Sequence, residues 1–259
     1  MRDCLFFTFK EYMRYLSLFS GIESCSVAWK DLSWECVGLS EIDPFACAVL
    51  KHHYPTIPNL GDIKNITEEQ IKALGDIDLI LFGSPCQDLS TAGKRKGLSG
   101  ERSSLFYEAI RIIHYVKKHC QLRFVLWENV YGTFTSNQGK DFVAVVESLV
   151  GIRGVNYNEK WEKEGVILSD DGLLEWCTLD AQWFGVPQQR RRVFCLADFG
   201  NWYQRKPILL EQQYMQKDYQ EVRRKEKEYS NQIFRSAQTK CRTFRVDPNN
   251  SNAMEFQNE

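Results

Sequence analysis

Cys86 lies in Gly83-Ser84-Pro85-Cys86-Gln87, directly after the apolar run Asp78-Leu79-Ile80-Leu81-Phe82. A thiol set just past a buried strand, ahead of a stretch rich in Gly, Lys and Arg, is placed as a nucleophile toward an anionic substrate. A free thiol has a pKa near ~8.5 and only its thiolate attacks well, so Cys86 needs partners. Pro85 stiffens the turn beside it. Glu128, in Glu128-Asn129-Val130, closes the apolar run 124–127 and projects to the same sheet edge. Its carboxylate could hydrogen-bond a ring nitrogen of a bound base and support protonation of that ring. A helix cap or ion-pair partner is the plainer alternative. Pro187-Gln188-Gln189-Arg190-Arg191-Arg192 leads into the last strand. In extended geometry Arg190 and Arg192 share a face while Arg191 points away. Two converging guanidinium groups suit a carbonyl oxygen and a phosphate, whereas a solvated basic face is the usual alternative. Residues 88–104 hold Gly93, Gly97 and Gly100 together with Lys94-Arg95-Lys96 and Arg102. That composition suits a mobile lid over a phosphate backbone, or else a plain surface loop.

A second group of residues has the types needed for an adenosine pocket. Phe19-Ser20-Gly21-Ile22-Glu23-Ser24 occupies the first strand-to-helix turn, where a glycine admits close approach of a ligand and the helix start favours negative charge. It is not a full Gly-x-Gly-x-x-Gly, and alone it also reads as a tight turn. Glu41 follows the second strand about twenty residues after Gly21, the place of a ribose-binding acid or of a solvated loop carboxylate. Gly61-Asp62-Ile63 adds a carboxylate for an exocyclic amino group and an apolar neighbour that could pack on a base, although Gly-Asp turns are common. No lysine-containing phosphate loop is present.

The elements that must position these groups alternate strand with helix from residue 13 to about residue 200. Strands are expected over 14–19, 36–40, 79–82, 124–127 and 192–197. Helices are expected over 24–29, with Ser24 as N-cap, and over 44–53, 104–118 and 140–149. Near-continuously apolar strands separated by helices predict a parallel sheet covered on both faces, with ligands at the carboxyl ends of its strands. The fold class expected is therefore α/β, a doubly wound, mostly parallel sheet. Residues 1–12 read as an N-terminal extension, 13–200 as the main domain, and 201–259 as a charged tail carrying eleven Lys/Arg against eight Asp/Glu.

The formal net charge of −1 over 259 residues supplies no global attraction to nucleic acid, so any such binding must come from a local patch. Nine cysteines without a Cys-x-x-Cys pair argue against a disulfide framework or a zinc site, so no metal and a reducing cytoplasm are expected. No apolar run reaches the ~18–20 residues of a membrane span.

Taken in order, these motifs resemble the cytosine-5 DNA methyltransferase family, its phage and prophage members above all, over about residues 13–215. The resemblance implies a Rossmann-like methyltransferase sheet, S-adenosyl-L-methionine as methyl donor, and double-stranded DNA with a cytosine flipped out of the stack. It implies Cys86 as the nucleophile toward carbon 6 of the ring, Glu128 at N3, Arg192 at the O2 carbonyl and Arg190 as support for the Cys86 loop or a phosphate. Phe19, Gly21, Ile22, Glu41, Ile42, Asp62, Ile63, Pro85 and Leu105 would surround the donor; Gln87, Ser90, Lys94, Arg95 and Arg102 would meet DNA. The setting implied is the cytoplasm of a bacterium, or a phage gene. Two departures stand out. Glu23-Ser24 replaces the family's glycine pair, and the recognition domain and last two motifs find no counterpart in 201–259. A truncated remnant, or half of a split enzyme completed by a second chain, is thus the alternative expectation.

Overall fold

A computed structural model of the chain describes residues 12–84, 104–155, 160–184, 187–200 and 208–212. Seven strands form one sheet: β1 (Arg14–Leu18), β2 (Glu35–Ser40), β3 (Leu79–Phe82), β4 (Phe124–Val130), β5 (Glu164–Ser169), β6 (Gly172–Asp180) and β7 (Arg191–Asp198). Their spatial order is β2-β1-β3-β4-β7-β6-β5. The first four run parallel, as expected.

The other half of this mostly parallel sheet adds a hairpin that the sequence pattern did not show. β7 runs antiparallel to β4, and β5 and β6 form a hairpin that pairs antiparallel with β7. The hairpin turns through Asp170-Asp171, and the Ser169 hydroxyl accepts the Asp171 and Gly172 amides at 3.2 and 3.1 Å. A two-residue acidic turn ahead of glycine is a recognisable hairpin signal.

Side chains alternate across the strands and separate two cores. On one face Leu16, Leu18, Ile80, Phe82, Val125, Trp127, Val193 and Cys195 pack against α3 (Glu68–Ala73), α4 (Ser104–His119) and α5 (Lys140–Val150). On the other, Met13, Tyr15, Leu79, Leu81, Phe124 and Leu196 meet Leu50 of α2 (Pro44–His53) and Leu209 and Leu210 of α6 (Leu209–Gln212). This two-sided burial is why β3 is apolar throughout. Each buried Leu, Ile or Phe contributes about 1.5–3 kcal/mol, so the sheet is the rigid platform of the molecule.

Leu209 and Leu210 lie beyond the residue-200 boundary drawn from composition, yet they belong to this core. The Ile208 and Leu209 amides donate to the buried Glu175 carboxylate at 2.8 and 3.0 Å. Among the described residues no helix is long and apolar enough to cross a membrane.

Candidate active site

β4 extends past its apolar stretch. β3 stops at Phe82, but β7 continues to pair with Glu128, Asn129 and Val130, so the Glu-Asn-Val motif is strand rather than loop. Arg192 sits directly opposite Val130. Its Nε lies 2.9 Å from Glu128 Oε1, with the two side chains 22% and 34% exposed. This pairing depends on the antiparallel direction of β7. Had β7 run parallel to β4, the start of this strand would lie at the opposite edge of the sheet.

Arg191 turns away, as alternation requires. It pairs with Asp180 Oδ2 at 3.5 Å and lies over the Tyr131 ring. Arg190 is exposed, and its amide donates to Asp180 Oδ1 at 2.9 Å. Burial pushes the Asp180 carboxyl up, but the Arg190 and Gln182 amides and the Arg191 side chain together hold it below its usual range. Asp180 thus anchors the arginine motif from β6, a role the sequence reading missed because β6 itself was missed.

Gly83 and Ser84 continue from β3 toward Pro85 and Cys86. A Cβ on Gly83 would stand 3.1 Å from Glu128 Oε2, so glycine leaves the room this carboxylate occupies. Pro85, Cys86, Gln87, Ser90, Lys94, Arg95 and Arg102 lie outside the described residues.

The second group gathers at the carboxyl ends of β1 and β2. Phe19, Gly21 and Glu23 all have positive φ, at 54, 56 and 61°. Glu23, not Ser24, caps α1 (Ser24–Ala28): its Oε1 accepts the Ser26 amide at 3.3 Å. It is 1% exposed and also takes the Tyr15 hydroxyl at 3.3 Å. Burial pushes its carboxyl up, opposed by the hydroxyls of Ser17 and Tyr15 and by Ser26. A left-handed, non-glycine residue is strained. Here a buried network of Tyr15, Ser26 and the Tyr54 hydroxyl holds it.

Glu41 joins the two loops. Its Oε2 accepts the Gly21 amide at 2.8 Å, and its Oε1 accepts the amides of Ile42 and Asp43, each at 2.8 Å. The Cys47 thiol donates to the Glu41 carbonyl, bracing the same loop. Asp62 Oδ1 accepts the Lys64 amide at 3.0 Å. Nothing lies within 4 Å of a Cβ built on Gly21 or Gly61, and Ile22 and Ile42 are 56% and 65% exposed. Ile63 does not share this open side. It is 3% exposed and packs in the core, whereas Ile22 and Ile42 are the exposed isoleucines on this side. Phe19 and Leu105 are half-buried and rest on that core. An open floor at two glycines, a carboxylate with lone pairs remaining and an exposed isoleucine fit an adenosine-bearing methyl donor.

The model of the C-5 cytosine-specific DNA methylase family matches residues 13–256. The chain belongs to this family. A DNA N-6-adenine-methyltransferase of Escherichia phage P1 is 32% identical over 217 residues, covering 71% of this chain and 28% of that protein. The type II methyltransferase M.BsuFI of Bacillus subtilis is 32% identical over 181 residues, covering 70% of this chain and 38% of its own length. The chain therefore spans well under half of either relative. Among solved structures, a variant of the DNMT2 of Spodoptera frugiperda superposes with a TM-score of 0.53 at 25% identity, over 76% of this chain and 54% of that one. The seven-stranded α/β sheet of this family member is thus that of the methyltransferases. Among its described residues no cluster of three or more His, Cys, Asp or Glu could hold a metal ion.

Proposed function

We propose that the protein transfers a methyl group from S-adenosyl-L-methionine to carbon 5 of a cytosine in double-stranded DNA. The observation that carries this reading is the Glu128–Arg192 pair, set one strand from the segment that leads into Pro85-Cys86. When bound, the donor supplies an electrophilic methyl group, and Glu41, Asp62, Ile42 and the open glycines at 21 and 61 would hold it.

The carbon 5 edge of cytosine is out of reach in stacked DNA, so the base must be flipped out of the duplex. The Cys86 thiolate then adds to carbon 6, splitting one difficult substitution into two easier steps. Electrons moved into the ring make carbon 5 nucleophilic. Glu128 delivers a proton toward N3 and keeps the ring oriented. Arg192 donates to the O2 carbonyl, where negative charge develops. The mutual pairing of these two groups orients each before substrate arrives. Carbon 5 takes the methyl group by displacing the donor's sulfur as a neutral thioether. Water then accepts the carbon 5 proton, N3 returns its proton to Glu128, and the ring double bond re-forms as the sulfur–carbon 6 bond breaks to release the Cys86 thiolate. Gln87, Ser90, Lys94, Arg95 and Arg102 are assigned to the DNA backbone and the space around the flipped base, and Arg190 to a nearby phosphate.

The test is incubation of the purified chain with labelled donor and unmethylated DNA, followed by nucleoside analysis, beside Cys86→Ala. The expected product is 5-methylcytosine, absent in the variant. Label in N6-methyladenine, undiminished label with Cys86→Ala, or no label on any DNA overturns the reading.

A further inference from the structure

Ser84 is 6% exposed and stands at the last described position before Pro85-Cys86. Its hydroxyl receives the indole N–H of Trp127 at 3.3 Å. The Asn129 amide donates to the Ser84 carbonyl at 3.4 Å and reaches the same hydroxyl at 3.5 Å. Trp127 and Asn129 are the two neighbours of Glu128 on β4, and both are buried. Alternation along the strand turns their side chains to one face and Glu128 to the other. One serine therefore ties β3's exit to both residues flanking the carboxylate.

The indole is itself fixed. Trp127 is fully buried, with its ring 6.3 Å from Phe106 of α4 and 6.3 Å from Phe142 of α5. A ring wedged between two helices cannot turn to follow Ser84, so Ser84 is held to a rigid partner. Only Pro85 separates Ser84 from Cys86, and consecutive Cα atoms are about 3.8 Å apart. Fixing Ser84 therefore fixes the point from which Pro85-Cys86 leaves β3 beside Glu128.

We propose that Ser84, held by Trp127, is a positioning residue that sets Cys86 against Glu128; the proposal rests on the methyl-transfer reading above. Neither Ser84 nor Trp127 touches substrate. Their contribution is to the fraction of time in which the attacking sulfur and the base-holding carboxylate face one ring.

The test compares Ser84→Ala, Trp127→Phe, the double variant and Ser84→Thr in the full chain. Each of the first two should lower kcat about three- to tenfold, the rate equivalent of one neutral hydrogen bond, with KM for DNA and donor unchanged. The double variant should lose no more than the worse single one, and Ser84→Thr should recover most of the rate. Amide exchange read by mass spectrometry needs no turnover. Peptides over residues 83–87 should exchange about fivefold faster in both single variants, with α5 unchanged. Unchanged exchange over 83–87, or faster exchange throughout the domain, overturns the proposal, as does additive loss in the double variant. Wild-type protein that methylates nothing counts against the function, while exchange still decides the role of Ser84.

Discussion

Glu128 on β4 and Arg192 on β7 meet across an antiparallel pair, Oε1 to Nε at 2.9 Å. Both are partly open to solvent, so the pair adds at most about 1 kcal/mol to stability. Its expected value is catalytic, since each group would face a different atom of one ring. Glu128→Gln and Arg192→Ala should each lower methyl transfer by about a hundredfold or more, with melting temperatures within a few degrees of wild type. Thermal melts beside initial rates separate the two effects, and variants that melt early but retain the rate would refute this division.

Glu41 should matter to the donor rather than to DNA. Its carboxylate accepts three amides from two loops, so Glu41→Ala frees Gly21, Ile42 and Asp43 at once. The expected outcome is at least about tenfold weaker donor binding and a loss of about 1–2 kcal/mol in stability. Calorimetry with the donor and separate DNA-binding measurements check this. Equal weakening of both ligands would count against the assignment.

Glu23 makes stability depend on pH in a direction opposite to a salt-bridged acid. Burial raises its carboxyl in the folded chain above the ordinary value of 4.5. The folded state therefore binds this proton more tightly than the unfolded one. Its contribution is complete at acid pH and is lost as pH rises through the raised value. Glu23→Gln keeps an acceptor for Ser26 without the charge, so it should gain stability over wild type as pH increases from about 4 to 8. Paired melts across that range would show a flat difference if Glu23 were not strained by ionisation.

Two glycines should respond to alanine in different ways. At Gly83 the new methyl group presses on Glu128 Oε2, a movable atom, so the rate should fall by about tenfold with little change in stability. At Gly165 on β5 it would overlap the Trp176 indole, itself enclosed by Phe142 and Trp161. Overpacking there should cost about 1–3 kcal/mol. Denaturant midpoints for both variants, with rates for Gly83→Ala, test the contrast.

Much of the parallel half was legible because its signals are local. Pro at the start of α2, the apolar β3 and the periodicity of α4 each lie within one short window, and these elements appear close to their expected bounds. Placing Ser24 rather than Glu23 at the start of α1 followed propensity, which favours serine as a cap. The structure overrides it, since Tyr15 from β1 and the Tyr54 hydroxyl from the end of α2 hold Glu23 in place. Ile63 is beside Asp62 by local sequence, whereas its burial is set by the core it shares with α4.

Sequence alone determined the order of chemical groups, the strand-and-helix rhythm, and the family they match. It did so because residue type and short-range spacing are written directly in the chain. Only the tertiary structure decided that β7 runs antiparallel, that β6 supplies Asp180 behind the arginines, and that Ser84 bonds to the residues flanking Glu128. Strand direction and partner choice come from hydrogen bonds between segments tens of residues apart, which no local pattern specifies. Arg192 lies at the start of β7, yet it reaches Glu128 near the end of β4 because β7 runs antiparallel and begins at the edge where β4 ends.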